Sequence, residues 1–370
     1  KLSLFRVISG SIKSDSEVIN SPKGEKERIT QLYLVQGKNS TKVDELTAGQ
    51  IGMVNKLKYT ETFDSLSAVN APVEFPKVSL PEKVISFSIV PKSKDDEDKV
   101  STGLHKLLEE DPGLAIRRDA ETSELLLAGM GQMHIEAVVE KLQKKFNVQV
   151  EMKIPKVPYR ETVRQKASGQ GKYKKQSGGR GQYGDVWLEI TPLPRGSGFE
   201  FEDRIVGGVV PKNYIPAVEK GVREAAVDGV FSGYPMVDFK AAIYDGSYHT
   251  VDSSELAFKV AASMAYKKVA AEAKPVLLEP IMNIDIFVPE ENVGAVIGDM
   301  NSRRGRIVNV EPQTSGQHIR AQVPMAEILT YAPDIRSMTG GRGMFTCEFA
   351  AYEELPSHLV DKVVGEKKGA

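Results

Sequence analysis

At 370 residues with 41% hydrophobic, 27% charged and 7% aromatic residues, the chain has an ordinary globular composition, and its length exceeds what one hydrophobic core organises, so about two to four domains are expected. No apolar run approaches the roughly 18 residues of a membrane span; the single cysteine, Cys347, excludes an internal disulfide, and there is no basic-then-apolar leader, so a cytoplasmic location is expected. The formal net charge of −1 is unevenly spread: between Thr162 and Gly184 stand Arg164, Lys166, Lys172, Lys174, Lys175 and Arg180 with no acid, so this stretch holds +6 against −7 elsewhere.

From the N-terminus, short β-type runs at Ser3 to Ile8, Glu17 to Asn20, Ile29 to Val35 and Ile51 to Leu57 alternate with turn signals such as Ser9-Gly10, Ser21-Pro22 and Ala48-Gly49, which predicts a small β-barrel over 1–78. With a strand already in progress at Leu2 to Ile8 behind a non-Met first residue, further chain upstream is expected. Pro72, Pro76 and Pro81 mark a stiff linker. Over 79–155 the order is strand Val84 to Val90, helix Asp95 to Glu110, strands Leu114 to Arg118 and Glu124 to Met130, a helix with Ile135, Val138, Val139 and Leu142 at helical spacing, and strand Val148 to Ile154.

The same β-α-β-β-α-β order returns over 276–358, as strand Met282 to Val288, helix Pro289 to Arg303, strands Arg306 to Glu311 and His318 to Val323, helix Met325 to Met338 and strand Met344 to Tyr352. Both units read as ferredoxin-like α/β sandwiches. Between them, 156–275 reads as an inserted α+β domain with strands near Tyr159 to Lys166, Tyr183 to Thr191, Phe199 to Val206 and Met236 to Tyr244, and helices Asn213 to Asp228 and Ser253 to Ala273. Residues 359–370 follow as a C-terminal tail.

The inserted domain carries the informative chemistry. After the cations comes Gln176-Ser177-Gly178-Gly179-Arg180-Gly181-Gln182-Tyr183-Gly184, a glycine loop able to approach an anionic partner with its backbone N–H groups. Residues 179 to 184 fit G-x-G-x-x-G, but the strand-like alternation of Asp185 to Ile190 excludes a dinucleotide fingerprint, which opens a helix. A kinase lid would need H-R-D and D-F-G downstream, and neither exists. There is no P-loop, and Asn55-Lys56-Leu57-Lys58 lacks the aspartate of a guanine-reading N-K-x-D, so no cofactor is expected on this chain and it is not itself expected to be an enzyme. The five histidines have no metal-ligand spacing, and no metal site is expected.

A second loop, Asp245 to Glu255, places Tyr248 and His249 at a turn, with Asp252 and Glu255 spaced as a capping box that would start a helix at Asp252. If it lies beside the glycine loop, aromatic rings and cations together suit RNA. The candidate nucleic-acid contacts are therefore Lys172, Lys174, Lys175, Ser177, Gly178, Gly179, Arg180, Gly181, Gln182, Tyr183, Tyr248 and His249. The bland reading of each loop is a solvated hairpin and an ordinary turn histidine.

These two strings, with Pro194-Arg195-Gly196-Ser197-Gly198-Phe199, Ile205-Val206-Gly207-Gly208, Gly129-Met130-Gly131-Gln132-Met133-His134 and Gly298-Asp299-Met300-Asn301-Ser302-Arg303-Arg304-Gly305, closely resemble bacterial elongation factor G along the whole chain. The resemblance implies an α+β multidomain fragment: a truncated translation-factor β-barrel (domain II), a ferredoxin-like domain III, domain IV with its decoding-site tip, a ferredoxin-like domain V and the tail. By the same resemblance the parent is a GTPase that binds GTP with magnesium in a missing N-terminal domain and promotes tRNA–mRNA translocation. Its implied partners are the ribosome at the decoding site and the large-subunit factor-binding region, tRNA, mRNA and ribosome recycling factor, with no membrane and a monomeric state. Tyr59-Thr60-Glu61-Thr62-Phe63-Asp64 departs from the family's D-T-T-T-G-D-like run and Lys174-Lys175 is unusually basic, which keeps an elongation factor G-like paralogue acting in recycling as an alternative, beside a nucleotide-independent RNA-binding or assembly protein.

Overall fold

The computed structural model describes residues 1–80, 83–119, 121–176 and 181–369. Two compact units emerge: Lys1–Lys83 with Ile89–Arg117 and Leu127–Met152, and Val84–Ser88 with Arg118–Leu126 and Lys153–Ala370.

In the first unit, short strands are cut by turns into three sheets. Strands β1 (Leu2–Arg6), β2 (Ser11–Lys13), β3 (Ser16–Asn20), β4 (Glu25–Ile29), β5 (Leu32–Gln36), β6 (Asn39–Val43), β7 (Glu45–Thr47), β8 (Ile51–Asn55) and β9 (Leu66–Ser67) pair in the orders β1-β8-β5-β6, β2-β7 and β4-β3-β9. All three sheets close on one core of Val7, Val18, Ile29, Leu32, Leu46, Val54 and Leu57. The expected run Ile29 to Val35 is two strands, because the chain turns between Ile29 and Leu32 so that both side chains enter that core. A buried carboxylate fixes the far turn: Glu27 accepts from the N–H groups of Lys58 (2.9 Å), Tyr59 (2.6 Å) and Thr60 (2.9 Å) and from the Thr60 hydroxyl (2.9 Å). Just beyond, Phe63 has φ +71°, in the left-handed region that a glycine would occupy without strain.

The ferredoxin-like unit that follows has β10 (Ile85–Pro91), α1 (Glu97–Glu110), β11 (Ala115–Arg118), β12 (Leu125–Gly129), α2 (Gln132–Phe146) and β13 (Val150–Lys153), with sheet order β11-β12-β10-β13. Helix α1 starts with Glu97 and Asp98, which favour its positive dipole end, and buries Val100, Gly103, Leu104 and Leu107 along one stripe. Helix α2 buries Ile135, Val138 and Leu142 and stops where Asn147 turns left-handed at φ +54°.

The second unit holds the inserted domain and the second ferredoxin-like domain. Its elements are β14 (Arg160–Val163), β15 (Ala167–Lys175), β16 (Gln182–Pro192), β17 (Phe199–Asp203), α3 (Ile215–Val227), β18 (Phe239–Ser247), α4 (Glu255–Glu272), β19 (Pro275–Val288), α5 (Val293–Ser302), β20 (Arg306–Gln313), β21 (Gly316–Pro324), α6 (Met325–Ile328), α7 (Tyr331–Met338), β22 (Met344–Glu354) and α8 (Ser357–Gly369). Strands β15-β16-β18-β17 form one sheet, covered on one face by α3 and α4. Strands β14-β19-β21-β20, with β22 also on β19, form the other.

Four expectations change here. The single strand Tyr159 to Lys166 divides, and its first part, β14, pairs with β19 in the last sheet. The basic stretch that followed is itself a nine-residue strand, β15, whose inward positions Gly169 and Gly171 carry no apolar signal. The helix Met325 to Met338 is two helices, because Pro333 sits where an unbroken helix would need its N–H. The C-terminal stretch is helix α8, which packs Leu359, Val360, Val363 and Val364 with Tyr159, Leu277 and Leu355.

The sheet and α4 approach closely because both surfaces are small. A Cβ on Gly171 would lie 2.3 Å from the Ala261 carbonyl oxygen, and one on Gly184 would lie 2.5 Å from that of Ala257. Ala257, Ala261 and Ala265 recur every four residues on the facing side of α4, all fully buried.

Candidate nucleic-acid interface

Pairing of β16 with β18 sets Asp185 opposite Ser247, and pairing of β15 with β16 sets Lys175 opposite Gln182. The start of β16 and the ends of β15 and β18 therefore share one end of the sheet, and both candidate loops leave from it. They are stitched together. Tyr183 N–H donates to the Asp252 carbonyl (2.9 Å), Gly181 N–H donates to Asp252 Oδ1 (3.0 Å), and the Ser253 hydroxyl donates to the Tyr183 carbonyl (3.0 Å) while accepting from His249 N–H (2.9 Å). A Cβ on Gly181 would meet Asp252 Cγ at 2.9 Å, so a larger residue there would push the carboxylate aside.

The expected adjacency of the loops is thus found, with Tyr183 and His249 rings 6.3 Å apart and tilted by 53°. The expected capping role of Asp252 is not. The N-cap of α4 is Ser254, whose hydroxyl accepts from Ala257 N–H at 3.2 Å, and Asp252 holds Gly181 instead. His249 is held as well: its Nδ1 accepts from the N–H groups of Val251 (3.3 Å) and Asp252 (3.2 Å). With Nδ1 turned to these donors, Nε2 is the ring nitrogen left for a partner. Tyr248 beside it is 46% exposed.

The positive charge is more local than the sequence implied. Arg164 pairs with Glu354 and Lys166 with Glu189 (2.8 Å), both away from the loops. Glu189 also meets Arg204 (2.9 Å), which with Lys240 binds Glu202; the Arg204 guanidinium first and the Lys240 ammonium second hold the Glu202 carboxyl down to about 2. Lys172 lies 5.5 Å over the Tyr183 ring and 3.9 Å from Asp185. Lys174 and Lys175 are exposed at the loop end of β15. Ser177, Gly178, Gly179 and Arg180 lie outside the described residues. Gln182 Oε1 accepts from the Tyr173 hydroxyl (3.0 Å), which leaves its amide N–H groups for a partner.

Sequence reading missed the supports beneath the loops. Asp185, 5% exposed, accepts from Gln170 Nε2 (2.7 Å) and the Ser247 hydroxyl (2.8 Å). Its signal was available: it is the first acid after the basic stretch, on a strand position that alternation assigns to the helix-free face. No group of three His, Cys, Asp or Glu among the described residues could hold a metal ion.

Comparison with known proteins gives the family. Residues 1–69 match elongation factor G domain 2, residues 80–154 elongation factor G domain III, residues 155–274 elongation factor G domain IV, and residues 276–363 the elongation factor G C-terminus. A crystal structure of the Thermus thermophilus protein ttk003000868 is similar over 100% of this chain at 44% identity and a TM-score of 0.84, and the chain spans 55% of that protein's length. The order of modules, the topology of both ferredoxin-like sheets and these four matches agree, and the chain belongs to the elongation factor G family of translation factors, carrying its domains II, III and IV and its C-terminal domain.

Proposed function

We propose that this chain is the ribosome-engaging part of an elongation factor G-type GTPase and that its domain IV tip contacts tRNA and mRNA at the decoding site during translocation. The observation that carries the reading is the joining of the two loops through Asp252, Ser253, Gly181 and Tyr183, which presents Tyr248, His249 and the exposed Lys174 and Lys175 at one end of the sheet. Cations neutralise phosphates there, while His249 Nε2, the Gln182 amide and the Tyr248 ring supply directional and stacking contacts. GTP and magnesium belong to a further domain of the parent, so hydrolysis is not this chain's chemistry, and the C-terminal domain engages the large subunit in the cytoplasm.

Arg180→Ala, or Lys174→Ala with Lys175→Ala, should reduce the salt dependence of ribosome binding by roughly 0.7 to 0.9 log units for each phosphate no longer neutralised. An unchanged slope in both variants refutes the assignment. His249→Ala in the intact factor should slow translocation more than it weakens nucleotide binding. A second reading, an elongation factor G-like paralogue acting in ribosome recycling, rests on the departure of Tyr59 to Asp64, where Phe63 stands at φ +71°, from the family's D-T-T-T-G-D-like run. Parallel translocation and subunit-splitting assays separate the two.

A further inference from the structure

Strand β17 runs parallel to β18, with Phe199 opposite Phe239 and Asp203 opposite Ile243, so the chain after Asp203 heads toward the end where Tyr248 and His249 stand. The segment 204–212 is anchored there from both sides. Arg204 N–H donates to the Ile243 carbonyl (2.8 Å), and Val210 packs so tightly on Gly246 that a Cβ there would meet Val210 Cγ2 at 2.6 Å. Tyr214, just beyond, stacks on Phe258 at 4.7 Å and donates from its hydroxyl to the Ser253 carbonyl (3.3 Å), the same Ser253 that joins the other two loops.

Between these anchors the loop turns outward. Gly207 and Gly208 have φ +73° and +70°, and a Cβ on either would meet nothing within 4 Å. Val206 is 82% exposed, Val209 is 38% exposed, and no acid occurs between Asp203 and Glu219; Lys212 flanks the apolar knuckle on one side, while Arg204 on the other is paired with Glu189 and Glu202. Helices α3 and α4 start side by side, Tyr214 lying on Phe258 and Gly221 against Lys259 and Ala262, so both positive dipole ends also open at this end.

We infer that residues 205–209 are a third contact loop of this tip, and that Val206 rests on ribose or base faces of RNA rather than on phosphate. The inference builds on the function proposed above. An apolar, acid-free knuckle continuous with a cationic, aromatic surface matches the faces of unstacked nucleotides, which side chains recognise by contact rather than by charge.

The test uses the 370-residue chain with Cys347→Ser, carrying Val206→Cys or, as a second probe, Tyr248→Cys, each labelled with a benzophenone and irradiated on ribosomes programmed with mRNA and tRNA. RNA adducts from both positions are expected. RNA adducts from position 248 with only protein adducts, or none, from 206 overturn the inference and leave the proposed function standing. Absence of RNA adducts at both positions overturns both. In parallel, Val206→Glu should weaken ribosome binding roughly threefold to tenfold while Val206→Leu retains it; equal binding by both defeats the inference.

Discussion

Asp185 holds Ser247 by its hydroxyl at 2.8 Å, and because that proton is committed, the 2.7 Å contact from Ser247 to the Tyr183 hydroxyl must be donated by the tyrosine. A buried carboxylate on the sheet thus orients the aromatic ring that stands beside His249. Asp185→Ala should leave Gln170 and Ser247 without their acceptor and cost about 1–3 kcal/mol in urea unfolding. A cost below about 0.5 kcal/mol would mean that the network reorganises without it.

Gly171 and Gly298 look alike in sequence and should respond oppositely to alanine. At Gly171 the added Cβ would lie 2.3 Å from both Ala261 O and Ala265 N, and overpacking against a helix backbone costs about 1–3 kcal/mol. Gly298 lies inside α5 with open space around it, so alanine there should add about 0.5–1 kcal/mol through helix propensity alone. Thermal unfolding of the two variants should move in opposite directions.

Glu161 is fully buried and both its oxygens accept, from the N–H groups of Val230 (2.8 Å), Phe231 (3.0 Å), Ser232 (2.7 Å) and Tyr234 (3.2 Å) and from the Ser232 hydroxyl (2.9 Å). Glu161→Gln would turn an amide NH2 toward backbone donors and should destabilise by about 2–4 kcal/mol. Hydrogen exchange at 230–234 should rise in that variant; unchanged protection there would show that the loop does not depend on the carboxylate.

Stability should fall in acid partly through Glu27. Burial raises its pKa, but the hydrogen bonds from Lys58, Tyr59 and Thr60 outweigh burial, and the net shift is downward from 4.5. Asp64 is likewise lowered from 3.8: burial opposes the shift, while Asn20, the Glu61 N–H and Lys23 drive it. A folded pKa below the unfolded one means that the unfolded chain binds protons first, so the contribution is complete above about pH 4.5 and disappears as pH drops through the folded value. Glu27→Gln should flatten the acid limb of stability against pH for the first unit; an identical limb would exclude this carboxylate as its source.

Where burial follows a simple period, the sequence was readable. Val100, Leu104 and Leu107 on α1 and Ile135, Val138 and Leu142 on α2 all face inward as their spacing requires, and the repeated β-α-β-β-α-β order produced the sheet order of both ferredoxin-like domains. Strand β15 was hidden because its inward residues Gly169 and Gly171 pack by close backbone approach, which leaves no hydrophobic alternation. Ser254 displaced Asp252 as the cap because Asp252 answers to Gly181, a partner 71 residues away that no local pattern encodes. The candidate residues were legible as chemistry, whereas their mutual positions depend on the Tyr183–Ser253 bridge.

Strand β14 enters the inserted domain and β19 leaves it, and the two are neighbours, with Val163 opposite Pro275 and Arg160 opposite Leu278. A module joined at two paired chain crossings has less freedom to swivel than one on a single tether. A rotation of the C-terminal sheet would then carry the inserted module with it, and the module's far end would sweep the widest arc.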